Sequence, residues 1–289
     1  MSFGATGDPM RECESGMVFQ SLSSRRDCTP SGVRQFILCL ARLSLLAAWV
    51  SPLPGQGQLA VVSAASFRDE VAPESLATIF TTIFAPGTAH AQLDAAGRLP
   101  KQLGGIQVSI DGQAADLIFV SPGQINCVIP IGSGIGDVGV TVTRIVDGSR
   151  IAGQAKVRLV APSIFSLNAS GSGTGAIRNA VTSALPPFRA ETVENPGIDK
   201  VTRLAVYATG LRFAANPDRT SRWVDSSVKI RVQVDTGGGE PVELPVEYAG
   251  PAPGFFGLDQ VNVAVNPKLA GRGPGRLRIL AGSSISNRV

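Results

Sequence analysis

The feature that most constrains the fold is a strand-like segment that occurs twice. SPGQINCVIP, at residues 121–130, returns as GLDQVNVAVN, at residues 257–266, and each copy has a turn, a Gln-x-Asn pattern and an alternating apolar run. Because alternate side chains of a strand point to opposite faces, the apolar residues form one face and the amides the other. A unit repeated at this distance predicts two copies of one β-sheet domain.

Length and composition fit two such domains. The chain has 289 residues, with 33 Gly and 20 Pro, and 17% of its residues are charged. That length is sufficient for two separate cores, and the Gly and Pro content suits many short strands joined by turns. The formal net charge of +4 is less than a nucleic-acid-binding protein usually concentrates, so we expect no nucleic acid as a partner.

Residues 1–57 predict a disordered N-terminus followed by a signal peptide. A basic region that ends at Arg42 precedes the apolar run 43–50, and Gly55 and Gly57 give the small-x-small pattern of a cleavage site. The apolar runs are shorter than the roughly 18 residues that a membrane span needs. Export with cleavage is therefore favoured, and it leaves no membrane insertion in the mature chain; an uncleaved anchor and a buried helix are the alternatives.

The cysteines fit an exported protein without an internal disulfide. Three of the four lie in the segment that we expect to be removed, which leaves Cys127. Cys127 alternates with Ile125 and Ile129 on the apolar face of the repeated strand. We therefore expect it to be buried and unpaired, as a small hydrophobic residue.

From residue 58 onward the sequence indicates short strands joined by tight turns. Asp111-Gly112 and Asp147-Gly148 follow alternating apolar runs and are typical of β-hairpins. We predict an all-β fold with two immunoglobulin-like β-sandwich domains in tandem after the N-terminal export segment. The predicted boundaries are 58–162 for the first sandwich, 163–200 for a short hairpin and connector, and 201–289 for the second sandwich.

A family resemblance rests on six segments that occur in this order: SAASF, VAPESLATIF, LGGIQVSIDGQAADLIFVSPGQINCVIP, VAPSIFSLNASGSGTGAI, LAVYATGL and YAGPAPGFFGLDQVNV. Together they resemble the uncharacterised C-terminal domain family of exported acidobacterial proteins first catalogued in Solibacter, over residues 61–289. The two halves are similar in turn to the IPT/TIG immunoglobulin-like fold. The resemblance implies an exported, non-catalytic accessory module, and it transfers no ligand or active-site residues.

The sequence offers no catalytic, metal or cofactor site, so we expect neither enzymatic activity nor a cofactor. His90 is the only histidine, which excludes a His-based triad or a two-His metal site within one chain. Asp69, Glu70 and Glu74 carry oxygens of the kind that bind Ca²⁺ but lack the spacing of a calcium loop. Residues 170–175 are interpreted as a turn rather than a phosphate loop, because neither a Lys-Ser/Thr pair nor a helix follows them.

The candidate ligand-contact residues are the four repeated amides Gln124, Asn126, Gln260 and Asn262. At equivalent places in both repeats, they could face a common groove and recognise a sugar or peptide by hydrogen bonds. In the alternative, which we favour, they have a structural role: they bond to neighbouring loops or face solvent on an outer sheet. Buried amides are normally satisfied within the protein, which supports the structural interpretation.

Three function classes follow. The favoured one is an exported, non-catalytic binding or structural module of the cell envelope or extracellular space, with a surface polymer, a glycan or another envelope protein as its partner. The alternative, a glycan-binding or glycan-processing accessory, needs exposed aromatic side chains on one face. Phe255 and Phe256 could form such an aromatic surface, but we expect one ring to fill the sandwich core and the other to cover the domain junction. The third is nucleic-acid binding, but Arg231, Arg276 and Arg278 fit better as solvent-facing residues of strands.

Overall fold

The computed structural model describes residues 59–82, 85–212 and 229–289, and these residues form two β-sandwiches in succession. The predicted signal peptide lies outside the described residues. Apart from one 3-10 turn, Pro267–Leu269, the regular structure of the described residues consists of β-strands. The predicted all-β architecture is confirmed.

The first sandwich consists of two sheets packed face to face. Its strands are β1 (Leu59–Ser63), β2 (Glu70–Val71), β3 (Leu76–Thr81), β4 (Ala89–His90), β5 (Gln102–Leu103), β6 (Ile106–Ile110), β7 (Gln113–Ala114), β8 (Asp116–Ser121), β9 (Gln124–Val128), β10 (Gly136–Arg144) and β11 (Arg150–Val157). Sheet A has the order β1-β3-β9-β8-β4, and sheet B the order β2-β11-β10-β6-β5 with β7 paired to β6. Ile79 and Leu117 of sheet A pack against Ile106 and Val140 of sheet B in one buried core.

The first copy of the repeat, strand β9, lies in the middle of sheet A, where it pairs with β3 on one side and β8 on the other. Ile125, Cys127 and Ile129 point into the core, and each is at most 1% exposed. Cys127 is unpaired, and burial raises the pKa of its thiol to about 12. The predicted burial of Cys127 is confirmed, and its thiol is inert at neutral pH because the thiolate is the reactive form.

Both predicted hairpins are present. Ile110 pairs with Gln113, so Asp111 and Gly112 form a two-residue turn in which both have positive φ, 51° and 74°. This conformation matches the right-handed twist of the flanking strands, which is why Asp-Gly favours it. The second hairpin joins β10 to β11 through the longer loop 145–148.

The second sandwich repeats the two-sheet arrangement. Its strands are β12 (Ser163–Ile164), β13 (Ile177–Asn179), β14 (Arg203–Thr209), β15 (Ile230–Asp235), β16 (Val242–Leu244), β17 (Val246–Pro251), β18 (Asp259–Ala264), β19 (Arg276–Ala281) and β20 (Ser284–Ile285). Sheet C has the order β12-β14-β18-β17 with β13 paired to β14, and sheet D the order β16-β15-β19-β20. Val206 and Val261 of sheet C pack against Val232 and Ile279 of sheet D. Like β9 in sheet A, β18 is paired on both sides.

Segment 163–200 lies along sheet C. The two short strands predicted around its glycine-rich turn are present as β12 and β13, and both pair with β14. Phe188 and Ala190, from the part predicted as connector, pack against the core of the second sandwich. The segment therefore extends the second sandwich instead of forming a separate element.

Candidate functional site

The repeated amides lie on the outward faces of sheets A and C, since the residues that alternate with them point into the cores. In the first sandwich, Gln124 Nε2 donates a hydrogen bond to Asn126 Oδ1 at 2.9 Å. In the second, Gln260 Nε2 donates to Asn262 Oδ1 at 2.8 Å. The repeat in the sequence thus corresponds to a repeated side-chain hydrogen bond.

The two amide pairs differ in their surroundings. Asn126 is buried, and Thr78, directly opposite it on β3, donates a second hydrogen bond to its Oδ1 at 3.1 Å. Asn262 is only half-buried and lies opposite Ala205, which has no side-chain donor. These bonds join side chains on the outward face of a sheet, whereas the structural interpretation expected the amides to bond to neighbouring loops or to face solvent on an outer sheet.

An aromatic pair adjoins the first amide pair. Phe80 lies opposite Gln124 across β3 and β9, and its ring stacks on that of Phe67 with centroids 6.3 Å apart. Phe80 is 37% exposed, so one aromatic ring and one amide face solvent side by side. We call Phe67, Phe80, Gln124 and Asn126 the aromatic–amide patch. The sequence did not reveal it, because the exposure of Phe80 depends on its position in the sheet.

Further along the same outward face, sheet A contacts the second sandwich. Leu76 and Val128 are directly opposite each other on β3 and β9, and both are buried in a cluster with Leu258 and Phe165. We call this cluster the apolar junction. Because its members come from both sandwiches, the hydrophobic effect opposes their separation.

Phe255 and Phe256 lie beside the junction. Phe255 packs against the apolar junction, as expected for one of the two rings. The expectation that the other ring fills the sandwich core is wrong, because Phe256 is 41% exposed. Of the two rings, Phe255 therefore contributes to the junction and Phe256 faces solvent.

A buried ion-pair network crosses the junction next to these apolar contacts. The Arg212 Nε donates to Asp259 Oδ1 at 2.9 Å, and Arg212 Nη1 lies 3.7 Å from Glu74 Oε2 of the first sandwich. Asp259 is fully buried, and its second oxygen accepts the Leu211 N–H at 2.9 Å. Burial raises the pKa of Asp259 to about 6, and the neighbouring Arg212 opposes part of that rise.

Backbone groups complete the junction. The Thr209 hydroxyl donates to the Gly257 carbonyl at 2.6 Å and accepts the Leu76 N–H at 2.9 Å, so one side chain links both sandwiches. Gly257 has φ +67°, and a Cβ at this position would lie 2.7 Å from Leu76 Cγ. Only glycine permits this approach, because any side chain would meet both the positive φ and Leu76.

The acids considered for Ca²⁺ face cations instead of one another. Asp69 lies 3.5 Å from Lys156, and Glu70 lies 3.1 Å from Arg158, while Glu74 belongs to the junction network. Within the described part of the chain, no group of three or more His, Cys, Asp or Glu side chains is placed to hold a metal ion. No helix in the described ranges is long and apolar enough to cross a membrane.

His90 and the glycine-rich segment lie apart from each other. His90, on the edge strand β4, is exposed, and its ring lies 5.1 Å from that of Phe119. Residues 170–175 form a turn in which a Cβ added to Gly171 would lie 2.8 Å from the Ser66 carbonyl oxygen of the first sandwich. The Gly171 carbonyl accepts a hydrogen bond from Asn287. The structure therefore does not bring these residues together into a catalytic or phosphate-binding group.

Comparisons with known proteins agree with the fold. The IPT/TIG domain family matches residues 99–155, which lie within the first sandwich. Together with the observed sheets, this match confirms the immunoglobulin-like fold. The resemblance to the exported acidobacterial family stays a prediction.

Solved structures that are similar to part of the chain include a bacterial binding protein. It is described as an auxiliary nutrient binding protein from Bacteroides ovatus, with 16% sequence identity and a TM-score of 0.21. The similarity covers 37% of this chain and 22% of that one, so it spans less than a quarter of the other protein. No curated protein matches the chain.

The amide pairs are tested by comparing Asn126→Ala with Asn262→Ala. Asn126→Ala leaves the buried Thr78 hydroxyl and the half-buried Gln124 amide without their acceptor, so we expect it to lower the free energy of unfolding by about 1–3 kcal/mol. Asn262→Ala removes one half-buried bond and should cost about 1 kcal/mol or less. Urea unfolding measures both. Losses below about 0.5 kcal/mol in both variants would contradict the structural role and leave the amides as ligand contacts.

The junction network is tested by the pH dependence of Asp259→Asn. The pKa of Asp259 is raised in the folded state. The contribution of Asp259 to the free energy of unfolding is therefore fully present below about pH 4 and is lost as the pH rises through about 6. The unfolding free energy of the wild type minus that of the variant should therefore decline between these values, by about 3 kcal/mol at most. Carboxylates outside the junction network titrate alike in both proteins and cancel. A difference that increases with pH would contradict the raised pKa.

Proposed function

We propose that this chain is an exported, non-catalytic binding or structural module of the cell envelope or extracellular space. The observation that carries the proposal is the junction, where Arg212 bridges Glu74 and Asp259 beside a shared apolar cluster. Such a junction joins the two sandwiches into one rigid element, because separating them would expose the apolar cluster to water and break the bonds of Arg212 to Glu74 and Asp259. A rigid element presents its outer faces to partners in a fixed arrangement.

The reactive groups of the described residues support a non-catalytic role. The buried acid Asp259 is fully engaged by Arg212 and Leu211, and the Cys127 thiol is enclosed in a core. His90 packs on Phe119 at the edge of sheet A, and its described contacts do not include that acid. A nucleophile, a base and an orienting group are therefore not assembled from these side chains, as acyl-transfer catalysis requires.

Export is supported by the N-terminal sequence. The basic region, the apolar run 43–50 and the Gly55-x-Gly57 pattern are the three parts of a signal peptide. With residues 1–57 removed, Cys127 is the only cysteine of the chain. A single buried thiol suits an oxidising environment, since it cannot form unwanted disulfides.

The proposal is tested by expressing the full chain in a bacterial host and sequencing the N-terminus of the exported protein. We expect the mature chain to begin near Gln58. Leu45→Arg/Leu46→Arg interrupts the apolar run and should retain the protein inside the cell, whereas Leu45→Ile/Leu46→Ile should be exported as the wild type is. Soluble cytoplasmic protein that keeps Met1 or Met17 would contradict the proposal.

The aromatic–amide patch favours a second candidate, a glycan-binding accessory. An exposed ring packs against the apolar face of a sugar, and a neighbouring amide bonds its hydroxyls. Neutral polysaccharides titrated against the purified chain test this function. Phe80→Ala should abolish binding, whereas Phe256→Ala, which removes a ring of similar exposure beside the junction, should retain it. Equal effects of the two variants would contradict the candidate.

A further inference from the structure

The outer face of sheet D carries a group of basic side chains that the proposed function does not use. Lys229 and Arg231 lie on or beside β15, Arg276 and Arg278 lie on β19, and Arg288 follows β20. Their neighbours along these strands, among them Val232, Leu277 and Ile279, point into the core, so the basic side chains share the opposite face. We call these five residues the cationic face.

The arrangement of the cationic face follows from strand register. Gln233 lies directly opposite Arg278, and Asp235 lies opposite Arg276. Neighbouring strands are about 4.8 Å apart and alternate residues of one strand are about 6.6 Å apart. The guanidinium groups therefore lie at closely spaced positions on a sheet surface, where like charges repel unless an anion lies between them.

The partners of these side chains leave much of the charge uncompensated. Arg278 donates from Nε and Nη2 to the Gln233 Oε1 at 3.1 and 2.9 Å, which orients its guanidinium without neutralising it. Arg288 lies 3.8 Å from Asp235. Within the described ranges, no carboxylate lies within ion-pair distance of Arg231 or Arg276. On the cationic face, the guanidinium of Arg278 is therefore held in a fixed orientation, while those of Arg231 and Arg276 are available to an external anion.

We propose that the cationic face binds an acidic polysaccharide whose carboxylates pair with Arg231, Arg276 and Arg278. This inference rests on the proposed function, because it names a partner class for an exported binding module. Guanidinium groups form two parallel hydrogen bonds with a carboxylate, and this geometry adds specificity to the charge attraction. An extended polymer can lie along a sheet face and engage several of these groups at once.

Two acidic side chains on the same face favour a sugar polymer over a nucleic acid. Asp235 is half-buried and Glu243, opposite Gln233, is exposed. Their carboxylates accept hydrogen bonds from hydroxyl groups, which a polysaccharide has in abundance. The same carboxylates repel a dense row of phosphates, on which nucleic-acid affinity depends. A face of mixed charge therefore matches a ligand that carries both carboxylates and hydroxyls.

The experiment titrates the purified full chain with polygalacturonate and with its fully methyl-esterified form, which has the same backbone without the charge. We expect binding of polygalacturonate alone, and weaker binding as NaCl rises from about 50 to about 300 mM. Arg231→Gln/Arg276→Gln/Arg278→Gln should weaken binding about tenfold or more. The corresponding Lys variant, which keeps charge but not the planar fork, should recover part of the affinity.

A matched control removes three cations from the first sandwich, Arg98→Gln/Arg150→Gln/Arg158→Gln, and should leave binding unchanged. If the triple variant of sheet D has a lower melting temperature, Arg231→Gln/Arg276→Gln replaces it, because this double variant keeps the Arg278–Gln233 bonds. Equal weakening by the control, equal binding of the esterified polymer, or tighter binding to single-stranded DNA or anionic phospholipid vesicles would each overturn the inference. Absence of polygalacturonate binding would overturn it as well, while N-terminal sequencing decides the proposed function separately.

Discussion

The structure depends on one guanidinium group. Arg212 contacts Glu74 of the first sandwich and Asp259 of the second, and its Nη2 also donates to the Leu258 carbonyl at 3.1 Å. Burying three charged groups costs several kcal/mol per ion, so the network is tolerable only with good geometry and additional hydrogen bonds. The Leu211 N–H supplies one of these bonds. The ion pair therefore fixes the arrangement of the sandwiches more than it adds net stability.

The repeated strands are used differently at the junction. Val128, which enters the apolar junction, comes two residues after Asn126, whereas Leu258 comes two residues before Gln260. The two sandwiches thus contact each other through opposite ends of equivalent strands. If the two sandwiches had contacted each other through the same surface of each, the contact would be symmetric. The observed junction is asymmetric. The outer faces away from the junction also differ: sheet A carries Phe80 and Gln124, and sheet D carries Arg276 and Arg278.

Local sequence patterns predicted those features of the fold that are determined by residues close together in the chain. Alternation in β9 and β18 gave the inward faces and the burial of Cys127, and Asp111-Gly112 gave a hairpin because its backbone preference is local. The junction network could not be predicted this way. Glu74, Arg212 and Asp259 come together only through the packing of two domains, and Glu74 by itself looked like a weak Ca²⁺ ligand. The exposure of Phe256 likewise depends on which side of a turn faces the other sandwich.

The apolar junction also has a consequence for the order in which the two sandwiches are synthesised and folded. Leu76 and Val128 are synthesised before Leu258, which follows Val128 by about 130 residues, and at ordinary translation speeds this interval lasts on the order of 10 s. During that interval a newly folded first sandwich would present both side chains to water without Leu258 to cover them. Exposed apolar surface on a nascent domain invites association with other chains. The exposure ends when the second sandwich folds against the first. The second sandwich, which is synthesised later, then buries the apolar surface that the first sandwich leaves open.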